Sequence, residues 1–243
     1  DVESEFTLAI CTMSVKPKKT SGSTAAPSPP GPETSLVDGV YEQILLRIIR
    51  GELHGGQELK STVLAHDLGV SRTPVVQALQ RLAADGIVTL EMNKRAVVRS
   101  GAENWLVEIH QLRELLEPHA AALAAPRIAD DVLDRLRALA AAIPKARRSE
   151  WQAAIERFDF ALHLAIADAA GSLALREAIR RCWSFKRLSY AAMPERPETL
   201  EKGLQEHLAI LAALEARDPQ TASAAMLFHL RSAAVLRPER RIV

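Results

Sequence analysis

The chain has 243 residues and a formal net charge of +1, with 48% hydrophobic, 25% charged and only 4% aromatic residues. These are the values of a folded chain long enough for one large domain or two modest ones, and the near-neutral balance excludes a nucleic-acid partner held by bulk charge, so any basic surface must be local. Two cysteines, Cys11 and Cys182, exclude a disulfide framework and suit a reducing, cytoplasmic setting, and no apolar run approaches the ~18 residues that span a bilayer, so no membrane partner is expected.

Residues 1–34 are of low complexity, with Ser21-Gly22-Ser23-Thr24-Ala25-Ala26-Pro27-Ser28-Pro29-Pro30 at their centre. Such a stretch buries too little apolar surface to offset the entropy of ordering it, and a disordered tail is expected. Phe6–Met13 is short and follows Asp1, Glu3 and Glu5, where a signal peptide needs a basic start. Met13-Ser14-Val15-Lys16 reads as a natural start, which would make residues 1–12 upstream sequence.

From Leu36 the periodicity is helical. Leu36, Val37, Val40, Tyr41, Ile44, Leu45, Ile48 and Ile49 recur on one face, and Gly51 offers a stop. Ser61 is placed to cap a second, short helix burying Val63, Leu64 and Leu68, which Gly69 ends. A third starts at Ser71-Arg72-Thr73-Pro74, where proline is tolerated because first-turn N–H groups have no intrahelical partner. It carries Val75, Val76, Leu79 and Leu82 and ends near Asp85-Gly86. Ile87-Val88-Thr89-Leu90 and Ala96-Val97-Val98-Arg99, separated by polar residues 91–95, make a hairpin. Helix, helix, tight turn, helix and hairpin define a winged helix-turn-helix over 35–100. The stretch Ser71–Arg99 holds five bases (Arg72, Arg81, Lys94, Arg95, Arg99) against two acids (Asp85, Glu91). In that module the third helix enters the major groove and the wing straddles the backbone. Arg72 has the fork for a guanine edge or a phosphate, and Ser71 and Thr73 can donate to phosphates at the helix N-terminus. Arg81 is expected to face backbone or solvent, and Asn93, Lys94 and Arg95 form the wing tip.

Beyond Gly101 the pattern is helical, with six helices expected at about 103–125, 130–147, 149–170, 172–191, 196–217 and 218–236. Breaks fall at Pro126, Pro144, Gly171, Pro194/Pro197 and Asp218-Pro219. The fold class is mostly α: a winged helix-turn-helix plus an all-helical antiparallel bundle over 101–237. Asp159 and His163, four residues apart, share a helix face that is otherwise apolar. His207 sits amid Leu204, Leu208, Ile210 and Leu211, and His229 amid Leu227, Leu230 and Val235. Polar groups on core-facing stripes need each other, a hydrogen-bond network or a metal. One carboxylate and three imidazoles suit a borderline divalent ion: zinc first, with nickel, manganese or iron open. Glu206 and Arg113 are candidates to support the ligands from behind. Arg113 is either a clamp for an anionic effector or half of a pair with Glu117; His110 and His119 have no obvious partner.

Leu64-Ala65-His66-Asp67-Leu68-Gly69-Val70-Ser71-Arg72-Thr73-Pro74-Val75 and Ala78-Leu79-Gln80-Arg81-Leu82 resemble the DNA-binding domain of GntR-family regulators. Leu112-Arg113-Glu114-Leu115-Leu116-Glu117-Pro118, Asp159-Phe160-Ala161-Leu162-His163, Ala169-Ala170-Gly171, Glu206-His207 and Phe228-His229-Leu230 resemble the FCD effector domain of that family's FadR branch. Six effector-domain helices resemble the VanR-type subgroup. The resemblance spans about 36–236. It implies DNA contacts at Ser71, Arg72, Thr73 and the wing, and metal ligands at Asp159, His163, His207 and His229. It further implies a homodimeric, non-enzymatic regulator, a repressor or an activator, that binds operator DNA and answers to a small organic acid or sugar acid. Val76-Gln77 stands where the family has Arg-Glu, Arg95-Ala96 where the wing has glycine, and Gly55-Gly56 where Pro-Gly is usual, the last expected to matter little. Two other readings of the same residues are a DNA-binding protein whose metal is purely structural and a metal-dependent hydrolase.

Overall fold

The computed structural model describes residues 35–91, 95–145, 150–192 and 196–235. The tail at 1–34 and the wing-tip residues Asn93 and Lys94 therefore lie outside the described residues. Helix α1 (Leu36–Ile49) opens with a reciprocal cap, in which the Ser35 hydroxyl accepts from the Asp38 N–H at 3.2 Å and Asp38 accepts from the Ser35 N–H at 3.3 Å. It buries Val40, Tyr41, Ile44, Leu45, Ile48 and Ile49, while Leu36 is exposed. Helix α2 (Ser61–Leu68) begins at the expected cap itself, so Ser61 is its first helical residue and Lys60 precedes it without a side-chain bond. With the helix so phased, Leu64 and Ala65 are buried and Val63 points outward, contrary to expectation. Gly69, at φ 65°, turns the chain out of α2 in the left-handed region that glycine adopts most readily.

Helix α3 (Arg72–Ala84) follows, with Ser71 in the cap position but making no side-chain cap bond. Val75, Ala78, Leu79 and Leu82 pack inward, and Val76 lies outside. Strands β2 (Val88–Leu90) and β3 (Ala96–Val98) pair antiparallel as expected. The sheet also has a strand with no signal in the sequence. β1 (Glu58–Leu59) adds to the far edge of β3, so the order is β1-β3-β2. Two residues are too short for period-2 patterning to register. The backbone approach that seats β1 explains Gly55: a Cβ there would lie 2.9 Å from the Ser100 Cα. Glycine at 55 therefore matters more than expected.

A short 3-10 turn (Ala102–Asn104) leads into the bundle. Its helices are α4 (Trp105–Ala124), α5 (Asp130–Ala142), α6 (Trp151–Ala169), α7 (Leu173–Ala192), α8 (Pro197–Glu215) and α9 (Pro219–Val235). Their limits follow the expected breaks at Gly171, Pro197 and Asp218-Pro219. Helix α4 packs on α6, α7 and α9, and α6 packs in turn on α5, α7 and α8. The small residues Ala120, Ala121, Ala124 and Ala125 let neighbours approach α4 closely, and Phe158, Leu162, Ile166 and Trp183 fill the centre. Truncating one such side chain costs about 2–5 kcal/mol, because the cavity collapses only in part.

The two halves share buried surface. Leu106 and Ile109 of α4, and Cys182 and Phe185 of α7, belong to the same apolar cluster as the core of α1, α3 and the sheet. The Trp105 ring meets Phe185 edge-on at 5.5 Å. Arg181 pairs with Asp85, the residue that ends α3, and Asp85 also accepts from the Tyr41 hydroxyl at 2.5 Å.

Candidate functional site

The outward face of the first half carries Ser71, Arg72 and Thr73, all exposed at the start of α3. Val76, Gln77 and Gln80 are exposed further along the same helix. Arg95 is exposed beside the wing strand. The first-turn N–H groups of α3 and the helix dipole favour an anion where Arg72 and Thr73 lie. Arg81 belongs elsewhere. It pairs with Asp38 and stacks over Tyr41, with 4.7 Å from guanidinium carbon to ring centre, so it fastens α3 to α1. Arg99 also turns back, donating to the Gly86 carbonyl at 3.4 Å. His54 and His66 are exposed, as expected.

In the second half, Asp159 and His163 of α6, His207 of α8 and His229 of α9 come together in the bundle interior. All four are buried, and one ligand atom from each lies within 4.8 Å of the others. The Asp159 Oδ1 is 2.9 Å from His207 Nε2 and 3.3 Å from His163 Nε2. His207 Nε2 is 3.3 Å from His163 Nε2 and 3.0 Å from His229 Nε2. Three imidazole Nε2 atoms and a carboxylate oxygen thus face one point.

Carboxylates behind the ring determine what those nitrogens present. Glu117 of α4 accepts from His163 Nδ1, and Glu206 of α8 accepts from His229 Nδ1 at 3.0 Å. An ionised carboxylate only accepts, so both Nδ1 atoms carry a proton, and in the neutral imidazoles both Nε2 atoms turn a lone pair inward. Lone pairs and a carboxylate converging in a buried space repel unless a cation lies among them, and this donor set fits a divalent ion. Glu206 is held by the Ser232 hydroxyl at 2.6 Å. Glu117 is held by Arg113 Nε at 2.5 Å and by the Trp183 indole N–H at 3.0 Å. The Arg113 guanidinium also stacks on Trp183 at 4.3 Å.

Burial alone would raise the Glu117 carboxyl, but Arg113 and His163 outweigh it and bring it down to about 2. Burial would likewise raise Asp159, yet His207 and His163 hold it well below the usual carboxylate range. His163 is raised in spite of burial, because Glu117 and Asp159 flank it. His229 is pushed well below the usual imidazole range, by burial first and then by His207 and His163.

Of the residues expected to support the ligands, Glu206 does so directly. Arg113 does so through Glu117, and the Arg113–Glu117 pair held open as an alternative is formed. His110, expected to lack a partner, is buried and donates to the Leu230 carbonyl at 2.8 Å. Sequence reasoning missed Glu117 as the anchor of His163, and missed Trp183. The signal for Glu117 was its i,i+4 spacing from Arg113 on a core-facing stripe. Trp183 gave none.

A three-helix head with a sheet-built wing, joined to a helical bundle with a polar interior, is the architecture of a winged helix-turn-helix regulator with a ligand domain. Residues 36–98 match the model of the bacterial regulatory proteins of the gntR family, and residues 108–232 match that of the FCD domain. A "Probable D-xylose utilization operon transcriptional repressor" of Paenarthrobacter nicotinovorans is 30% identical over 203 residues, covering 81% of this chain and 86% of that one. The transcriptional regulator LutR of Bacillus subtilis is 27% identical over 214 residues, covering 75% and 92%. Among solved structures, McbR/YncC of Escherichia coli superposes with a TM-score of 0.56 at 26% identity, covering 82% of this chain and 94% of that one. The chain belongs to the GntR family, on the branch that carries an FCD domain, and is a DNA-binding transcriptional regulator rather than an enzyme.

Proposed function

We propose that the chain is a ligand-responsive regulator whose hold on operator DNA is set by a small carboxylate-bearing effector, such as an organic or sugar acid, beside a divalent metal. The observation that carries this reading is the convergence of the Asp159 carboxylate and three imidazole Nε2 atoms, two of them backed by carboxylates. Asp159, His163, His207 and His229 would hold the ion, zinc in first place. When bound, it supplies a Lewis-acidic centre able to take an effector oxygen.

The protein's own side chains do the rest. Glu117 and Glu206 fix the orientation of His163 and His229. Arg113 is the nearby cation for an anionic ligand, and its pairing with Glu117 restrains its guanidinium. On the DNA side, Ser71, Arg72 and Thr73 contact the operator, with Arg95, Asn93 and Lys94 along the wing. The working unit is a cytoplasmic homodimer, whose two-fold symmetry matches paired half-sites, and its units are a DNA-binding domain over 35–100 and an effector domain over 101–237. Among the described residues no helix is long and apolar enough to cross a membrane.

The test is a DNA-binding titration of metal-loaded protein against a panel of small carboxylic and sugar acids. At least one acid is expected to shift the midpoint, since an effector acts only through a difference in affinity between two states. A midpoint that no acid moves contradicts effector control and leaves a regulator whose metal is structural.

A further inference from the structure

Trp183 lies on α7, a helix that touches both the polar cluster and the DNA-binding head. Its indole N–H donates at 3.0 Å to Glu117 Oε1, while Oε2 of the same carboxylate accepts from His163 Nδ1. Its ring lies 4.7 Å from the His163 ring and carries the Arg113 guanidinium at 4.3 Å. The residues around it on α7 face the other way. Cys182 and Phe185 are buried in the apolar cluster of the DNA-binding domain, Phe185 meets Trp105 edge-on, and Arg181 pairs with Asp85 at the end of α3. Asp85 in turn accepts from Tyr41, on the helix that also anchors Arg81 of α3. A shift of α7 that re-aims the indole must therefore also move side chains embedded in the head.

We propose that Trp183 is a positioning residue that couples the metal site to the DNA-binding domain. It holds the carboxylate that orients His163 while its neighbours Arg181, Cys182 and Phe185 hold the head, so that ligation and DNA binding influence each other through α7. The proposal rests on the reading of Asp159, His163, His207 and His229 as metal ligands. Close packing supplies the physical route, because a buried interface repacks between discrete arrangements rather than deforming smoothly. Linkage requires the effect to run both ways, so DNA must change metal affinity by the factor that metal changes DNA affinity.

The experiment uses the full chain and zinc alone as the ligand. Zinc affinity is measured by competition with a chromophoric chelator, with and without a saturating DNA fragment selected by the protein from a random library. The unaltered protein is expected to show a DNA-dependent change in zinc affinity of about five-fold or more. Trp183→Phe keeps the aromatic packing but loses the N–H donor; it is expected to bind both zinc and DNA while the DNA-dependent change collapses towards one-fold. A change that persists in Trp183→Phe overturns the role of Trp183. No DNA-dependent change in the unaltered protein overturns the coupling and leaves the metal reading standing, whereas no zinc binding at all removes that reading and the coupling with it. A second readout avoids altering the residue itself. With Trp105 and Trp151 replaced by Phe, the remaining indole is expected to change its emission on adding zinc and, separately, on adding DNA, and silence towards DNA overturns the proposal.

Discussion

Replacing Glu117 by Gln tests the interior of the bundle most searchingly. The change keeps size and shape and removes only the charge. Glu117 accepts from Arg113, His163 and Trp183 at once, and both Glu117 and Arg113 are almost fully buried. Its carboxyl is held near 2 against an ordinary value of 4.5, which corresponds to about 3 kcal/mol of stability at neutral pH. Loss of one partner from a buried pair costs about 3–5 kcal/mol in other proteins, which agrees. The sign follows from the depressed value. The contribution is fully present above the unfolded carboxyl's titration and is lost as pH falls towards about 2.

Chemical denaturation of metal-free protein at pH 7 is expected to show Glu117→Gln destabilised by about 3 kcal/mol, with a melting temperature lower by about 6–12 °C. The gap should narrow as pH falls from 5 towards 3. Metal affinity should drop about 10–100-fold, because a carboxylate behind a ligating imidazole keeps it oriented and basic. A variant as stable as the parent at pH 7, or a gap that widens in acid, would refute the reasoning.

Three further outcomes follow from other parts of the molecule. Arg72→Ala should weaken binding to a selected operator by about 1–3 kcal/mol and relax preference at one base position, measured by competition with single-base variants of the operator. An unchanged preference would move Arg72 from base edge to phosphate. Gly55→Ala should destabilise the head by about 1–3 kcal/mol through its clash with the Ser100 backbone, whereas Gly39→Ala, inside α1 with open space around it, should stabilise by about 0.5–1 kcal/mol. Equal effects in thermal melts would contradict the packing described at Gly55. Glu206→Gln should lower metal affinity by about ten-fold or more through His229 while leaving DNA binding by the metal-free protein unchanged.

The parts of this molecule that were legible in the sequence are those with local causes. The stripe from Val40 to Ile49, the glycine exit at Gly69 and the proline-bearing start of α3 announce a helix-turn-helix without reference to anything distant. The Asp159/His163 spacing places two polar groups on one apolar face by helix geometry alone. What stayed hidden depends on contacts between elements. Strand β1 exists because β3 offers it an edge, and Val63 faces outward because α2 is phased by its tertiary packing rather than by a serine cap. Arg81 reads as a residue facing backbone or solvent until Asp38 and Tyr41, about forty residues earlier, are seen beside it. The cluster of Asp159, His163, His207 and His229 needed three helices to meet. Its spacing allowed this, and only the packing of α6, α8 and α9 brings His207 Nε2 to 3.3 Å from His163 Nε2 and 3.0 Å from His229 Nε2.

The central claim, that this interior is a metal centre, is tested most directly by metal content. The full-length protein and its His207→Ala variant would be purified without chelator and their metal measured by mass spectrometry. The account predicts about one divalent ion per chain in the parent and its loss in the variant, with the bundle still folded. No ion in either protein after incubation with zinc, nickel and manganese would contradict it.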